Sequence, residues 1–116
     1  MILAGVVWAQ PRLAVDRDVA NMGEIMFQLP SKVNFTLRNT GTDPLSITEV
    51  IPSCGCTAVD WTHELIAPGA EGTITAIYDA KMLGVFQKDL GVYTNASDEP
   101  VYLHIQGRVL TKHLLI

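Results

Sequence analysis

The chain has 116 residues, of which 48% are apolar and 17% charged, with a formal charge of −4. That length suits one domain with a core large enough to fold without metal or disulfide, and the composition excludes a disordered tail. Lysine and arginine form no run and do not interleave with aromatics, which argues against nucleic acid as a partner; no segment reaches the roughly 18 apolar residues of a membrane span.

Ile2 to Ala9 is an unbroken apolar stretch ending in Val7-Trp8-Ala9, before Gln10-Pro11. A small residue ahead of a plausible cut makes residues 1–9 read as a truncated signal peptide, although a basic n-region is missing. The alternative is an ordinary strand over Leu3 to Val7. On the signal reading, residues 10–116 form a single exported domain that is periplasmic, on the cell surface or secreted, in an oxidising setting. Val33, Phe35 and Leu37 then alternate with Asn34, Thr36 and Arg38, the period of a half-buried strand. Asn39 to Pro44 is a cluster of turn formers. Leu45 to Ile51 is a second strand, rich in β-branched residues. Pro68-Gly69 marks a turn, and Gly72 opens Thr73 to Tyr78, with Ile74, Ala76 and Tyr78 on one face. After Gly84, Phe86, Lys88, Leu90 and Val92 share a face, opposite Asp89 and Tyr93. Thr94 to Pro100 reads as a loop. In the last strand Val101, Leu103, Ile105 and Val109 point inward, while Tyr102, His104, Gln106 and Arg108 point outward. No window shows helical spacing. About seven short strands with regularly spaced turns predict an all-β, antiparallel β-sandwich. Its shared core is expected to hold Phe35, Leu37, Ile47, Ile74, Leu90, Leu103 and Ile105.

Phe35-Thr36-Leu37-Arg38-Asn39-Thr40-Gly41, Pro44-Leu45-Ser46-Ile47 and Ser53-Cys54-Gly55-Cys56-Thr57 belong to a longer pattern. It continues through Trp61, Ile66-Ala67-Pro68-Gly69, Gly72-Thr73-Ile74, Tyr78-Asp79, Gly84, Phe86-Gln87-Lys88 and Thr94-Asn95. The pattern resembles the bacterial domain of unknown function 1573, a secreted immunoglobulin-like family. It is similar in layout to major-sperm-protein and PapD-like sandwiches, including modules of the ciliary protein hydin. The resemblance runs from about Val19 to Val109. It implies an immunoglobulin-like antiparallel β-sandwich and export, and it implies no activity. One departure is Gly91, where a β-branched strand residue would be expected.

Cys54 and Cys56 are the only cysteines. On an extended strand their side chains share a face, with Cα atoms about 6.6–6.8 Å apart, the far edge of the roughly 4.4–6.8 Å that disulfides span. Closing so small a loop contributes only about 1.6 kcal/mol of chain entropy, so a structural staple is the weakest reason for the pair. Three readings remain: buried thiols packed between sheets, a reducible disulfide, or a soft-metal clasp for Cu(I) or zinc. Zinc wants four ligands, and His63 supplies a third only if its loop folds back. No cofactor is expected. Trp61 is either a core or rim tryptophan covering the cysteines or a stacking surface for a sugar or partner, extended by Tyr93 and Tyr102. The outward row Tyr102, His104, Gln106 and Arg108 is a candidate partner surface; His113 lies in the tail. No Gly-x-Ser-x-Gly, phosphate loop or calcium-loop spacing occurs. The sequence therefore reads as an exported, non-catalytic module that contacts an envelope protein. The alternatives are thiol–disulfide or copper handling by Cys54 and Cys56 and, more weakly, glycan binding through Trp61 and the tyrosines.

Overall fold

The computed structural model describes residues 9–111. The signal-peptide expectation, apart from Ala9, and the tail with His113 lie outside the described residues. Eight strands follow one another: β1 (Leu13–Val15), β2 (Val19–Met26), β3 (Ser31–Asn39), β4 (Ile47–Pro52), β5 (Thr57–Trp61), β6 (Glu71–Tyr78), β7 (Gly84–Thr94) and β8 (Ser97–Leu110). They form two four-stranded sheets, ordered β1-β3-β6-β5 and β2-β8-β7-β4. The fold is an all-β sandwich of the immunoglobulin-like, PapD-like kind.

Period-two alternation builds the core from both sheets. Phe35, Leu37, Ile74 and Ala76 come from one, and Ile47, Leu90, Val92, Leu103, Ile105 and Val109 from the other; all are buried. Every residue of the expected core is among them. The rings of Tyr78 and Phe86 stack across the two sheets, with centroids 4.2 Å apart, an arrangement that adds a ring–ring term to the area they bury.

Three features depart from the sequence reading. The sandwich is not wholly antiparallel, because β2 runs parallel to β8. The chain starts on one sheet as β1, antiparallel to β3, and crosses at Asp16–Asp18 to the other. The crossing is anchored: Asp16 N–H donates to Thr36 O (2.9 Å), Thr36 N–H to Asp16 Oδ1 (3.1 Å), and His104 N–H to Asp18 O (2.7 Å). Neither N-terminal strand shows a period in sequence. β1 is too short, and the register of β2 shifts between Asn21 and Glu24, around Gly23 at φ 69°, which breaks the alternation as a bulge does. Thirdly, the expected loop Thr94–Pro100 is a tight hairpin with Thr94 opposite Ser97. Ser97, Asp98 and Glu99 are exposed strand residues, and Asn95 docks the turn by accepting from Ser46 N–H (2.9 Å) and donating to Pro44 O (3.2 Å).

Asn39, read as a turn former, is fully buried. Its amide donates to Asp43 O (2.7 Å) and Ile66 O (2.9 Å), and its Oδ1 accepts from Gly41 N–H (2.9 Å) and Arg12 N–H (3.3 Å). Two donors and both lone pairs are thereby used, the full capacity of the side chain. Its main chain adds bonds to Ala70 O and from Gly69 N–H. Gly41 is held so close to the entering chain that a side chain there would run into the Arg12 nitrogen, 2.6 Å from its Cβ. Replacing Asn39 by Ala orphans buried carbonyls and amides, so Asn39→Ala should lose about 2–4 kcal/mol in urea unfolding. Asn39→Asp should lose as much at neutral pH, because a carboxylate oxygen then faces two carbonyl oxygens. A loss below about 0.5 kcal/mol in both would show that this hub is dispensable.

Candidate interaction surface

β8 is an inner strand of its sheet, flanked by β2 and β7. Leu103, Ile105 and Val109 point into the core, so Tyr102, His104, Gln106 and Arg108 form one row on the outer face. The register supplies their neighbours. Gly91, Asp89, Gln87 and Val85 of β7 stand beside them in that order. On β4, Ile51 is opposite Gly91 and Glu49 opposite Tyr93. On β2, Val19 is opposite His104 and Glu24 opposite Arg108.

Gly91 is what shapes this face. It lies between buried Leu90 and Val92 and so faces outward, yet it is itself buried. The rings of Tyr102 and Tyr93 lie across it, 3.5 and 3.6 Å from where a Cβ would stand. A side chain larger than alanine would lift both rings off the strand. Beside them opens a shallow cleft of about 250 Å³, walled by Ile51, Pro52, Ser53, Asp89 and the two tyrosines. His104 Nδ1 is 2.6 Å from Asp89 Oδ1, and Asp89 N–H donates to Ser53 Oγ (3.0 Å). The serine oxygen accepts from a backbone amide while the imidazole of this row is turned to Asp89, which is no arrangement for a nucleophile. Tyr102 is 57% and Ile51 45% exposed, so what the cleft offers a visitor is ring faces, aliphatic surface and a phenol hydroxyl.

Cys54 and Cys56 are not on a strand. They occupy the crossover from β4 to β5, where the chain turns at Gly55. The turn brings their Cα atoms to 5.2 Å, and the two are joined as a disulfide. The expectations of an extended pair and of free buried thiols are both corrected, and the physical reason is that bend. Both residues are half-buried. The crossover is hooked to both sheets: Ser53 N–H donates to Asp89 O (2.8 Å), and Asp79 N–H to Cys56 O (2.9 Å). A closed disulfide presents no thiolate to Cu(I) or zinc, and among the described residues no group of three or more His, Cys, Asp and Glu is placed to hold a metal. His63 turns to Asp60 instead (3.2 Å). The N–H of Trp61 and then His63 hold the Asp60 carboxyl below its usual pKa of 3.8.

Trp61 belongs to the other sheet. It stands opposite core residue Ile74, packs against the core and stacks at a tilt on His63 (4.8 Å). It therefore cannot share a sugar platform with Tyr93 and Tyr102, which lie on the outer face of the opposite sheet. Its Nε1 is buried without a partner. The tyrosine row was readable from alternation on β8. The Gly91 seat and the Asp89–His104 pair were not, since they need the β7–β8 register.

The family described as protein of unknown function (DUF1573) matches residues 13–109, and the chain belongs to it. No curated protein matches the chain in sequence. Among solved structures, a protein of unknown function from Porphyromonas gingivalis W83 is similar at TM-score 0.76 and 16% identity, over 89% of this chain and 49% of that one. The PapD-like domain 7 of human CEP192 is similar at TM-score 0.68 and 10% identity, over 96% and 94%. The VesB protease of Vibrio cholerae is similar at TM-score 0.65 and 19% identity, over 84% of this chain and 31% of that one. This chain thus spans about half of the Porphyromonas protein and under a third of VesB. At such identities the likeness is one of fold. Among the described residues no helix is long and apolar enough to cross a membrane.

The disulfide closes a minimal loop, so its contribution to global stability is small. Protein prepared without reductant should show no labelled thiol under denaturing conditions. The double variant Cys54→Ser, Cys56→Ser should unfold within about 1.6 kcal/mol of the parent. A loss well beyond that would make the bridge a structural staple after all.

Proposed function

We propose that this member of the DUF1573 family is an exported, non-catalytic module that binds another protein of the cell envelope through the outer face of the β2-β8-β7-β4 sheet. The observation that carries this reading is the contrast between the two outer faces. On the β1-β3-β6-β5 sheet most outward side chains are polar, Ile77 and Ala58 excepted, and some pair with one another: Arg38 with Glu71 (2.9 Å) and Thr75 with Asn34 (2.8 Å). On the other sheet exposed Tyr102, Ile51 and Val85 have no such satisfaction. Interfaces concentrate aromatic residues at their centres and leave charged ones at the rim, and here Glu49 stands beside Tyr93 while Arg108 and Glu24 lie at the far end of the β8 row.

A second reading, thiol–disulfide exchange, is supported by the half-buried disulfide whose worth as a staple is small. It would oxidise a partner dithiol, pass two electrons to the bridge, and leave Cys54 and Cys56 as thiols. Its signature is loss of function in each single cysteine variant while the fold persists.

The principal reading is tested in the source cell with the photo-cross-linker p-benzoylphenylalanine in place of Tyr102 and, as a control on the other face, Thr73. Adducts of discrete mass should form from position 102 and not from 73. No adduct at 102, or equal labelling at both, would reject this face. Mass spectrometry of the envelope protein should place the N-terminus near Gln10; recovery of the intact Met1 form from the cytoplasm alone would refute export.

A further inference from the structure

Resting on that reading of the face, we propose that the cleft beside Tyr93 and Tyr102 receives a proline-containing segment of the partner in extended, polyproline II form, with a basic residue next to the prolines. Four observations carry this. The cleft is open and shallow, which suits a chain lying across the sheet rather than an enclosed small molecule. Its walls are two tyrosine rings, Ile51 and Pro52, surfaces against which a pyrrolidine ring packs with little loss of freedom because proline is already fixed in φ. The exposed Tyr102 places a hydroxyl at the rim. Polyproline II leaves every backbone carbonyl unbonded, so that hydroxyl has an acceptor to meet wherever such a chain crosses. Finally, Glu49 is exposed and opposite Tyr93 across the strand pair, and the chain carries a net charge of −4. A lysine or arginine beside the prolines is therefore drawn to that end of the cleft.

Gly91 fits the proposal too. A glycine within a strand is unfavourable, but only a small residue lets both rings lie down and form the wall. An alanine Cβ would meet the rings at ordinary contact distance, 3.5 and 3.6 Å, whereas the branches of a valine would push them away.

The test uses the purified chain and a fluorescein-labelled oligoproline peptide bearing one arginine, read by fluorescence anisotropy. A glycine–serine peptide of equal length with the same arginine is the control, and a chitooligosaccharide is the competitor. The oligoproline peptide should bind saturably and the control should not. Tyr102→Ala and Gly91→Val should weaken binding by about tenfold or more, and Tyr102→Phe, which keeps the ring, by only a few-fold. Gly91→Ala should keep near-parent affinity. Amide shifts should move at Gly91, Tyr93 and Tyr102, and thermal melts should confirm that Tyr102→Phe and Gly91→Ala fold. No saturable oligoproline binding, equal binding by Tyr102→Ala, or displacement by the oligosaccharide would overturn the proposal. If cross-links at position 102 persist in that event, the ligand chemistry alone is wrong. If they are absent as well, the face itself is wrong.

Discussion

Two donors and two lone pairs at the buried Asn39 amide tie three stretches of chain together at one point, beside the backbone bonds that run between them. Arg12 is drawn in ahead of β1, Gly41 and Asp43 are folded beneath it, and Ile66 is fixed before β6. Once Arg12 is anchored, β1 lies along β3, and the chain leaving it reaches the second sheet at Asp18, where it meets His104 N–H. β2 then lies beside β8. A buried amide with every position filled specifies geometry as well as stability, because any slip leaves a polar atom unpaired in a dry site. The consequence for the outer face is direct. Without β2, β8 would be an edge strand, and its row from Tyr102 to Arg108 would border an open ladder instead of crossing the middle of a four-stranded surface.

On that surface polar groups satisfy one another and apolar groups do not. Asp89 is bonded through its carboxylate to His104 and through its amide to Ser53, which fixes these polar groups in place at the cleft floor. The tyrosine rings meanwhile cover a glycine that would otherwise weaken the strand. Glycine in a strand costs roughly 0.5–1 kcal/mol, and aromatic neighbours across and along the ladder offset part of this by burying its backbone. The arrangement trades local strand propensity for a rigid aromatic wall. Such a wall has few rotamers to lose on binding, which is what makes tyrosine effective at interfaces.

The sequence made the core and the outer row of β8 legible for one reason. Both lie on strands long enough for alternation to repeat several times, and burial of one face leaves the register no freedom. Leu13–Val15 offers too few residues to show a period. In β2 the bulge at Gly23 reverses the alternation midway. Asn39 does bond the turn that follows it, through Gly41 N–H and Asp43 O, but its second role as a buried hub is not legible, because the same short side chain that bonds nearby backbone in turns also reaches Arg12 and Ile66. Trp61 ends a five-residue strand, where either parity was open until the pairing with Ile74 placed it inward. Gly91 stood out as an exception to strand composition, but the rings that explain it come from two positions, and only one of them is on its own strand.

The cysteines show the limit of arguing geometry from spacing. An extended Cys-Gly-Cys places its sulfurs at the far edge of bonding range, and the argument fails because the segment is a crossover between sheets, not a strand. Ser53 hooks its start to Asp89 of β7, and Cys56 hooks its end to Asp79 after β6. Between two fixed hooks only a few residues remain to turn the chain from one sheet to the other, and the bend at Gly55 that achieves this is the same bend that brings the cysteines to 5.2 Å. The disulfide thus fixes a local conformation more than it constrains the unfolded chain. Because Ser53 is both the residue before Cys54 and a wall of the cleft, the bond holds in place the chain that carries part of the proposed binding surface.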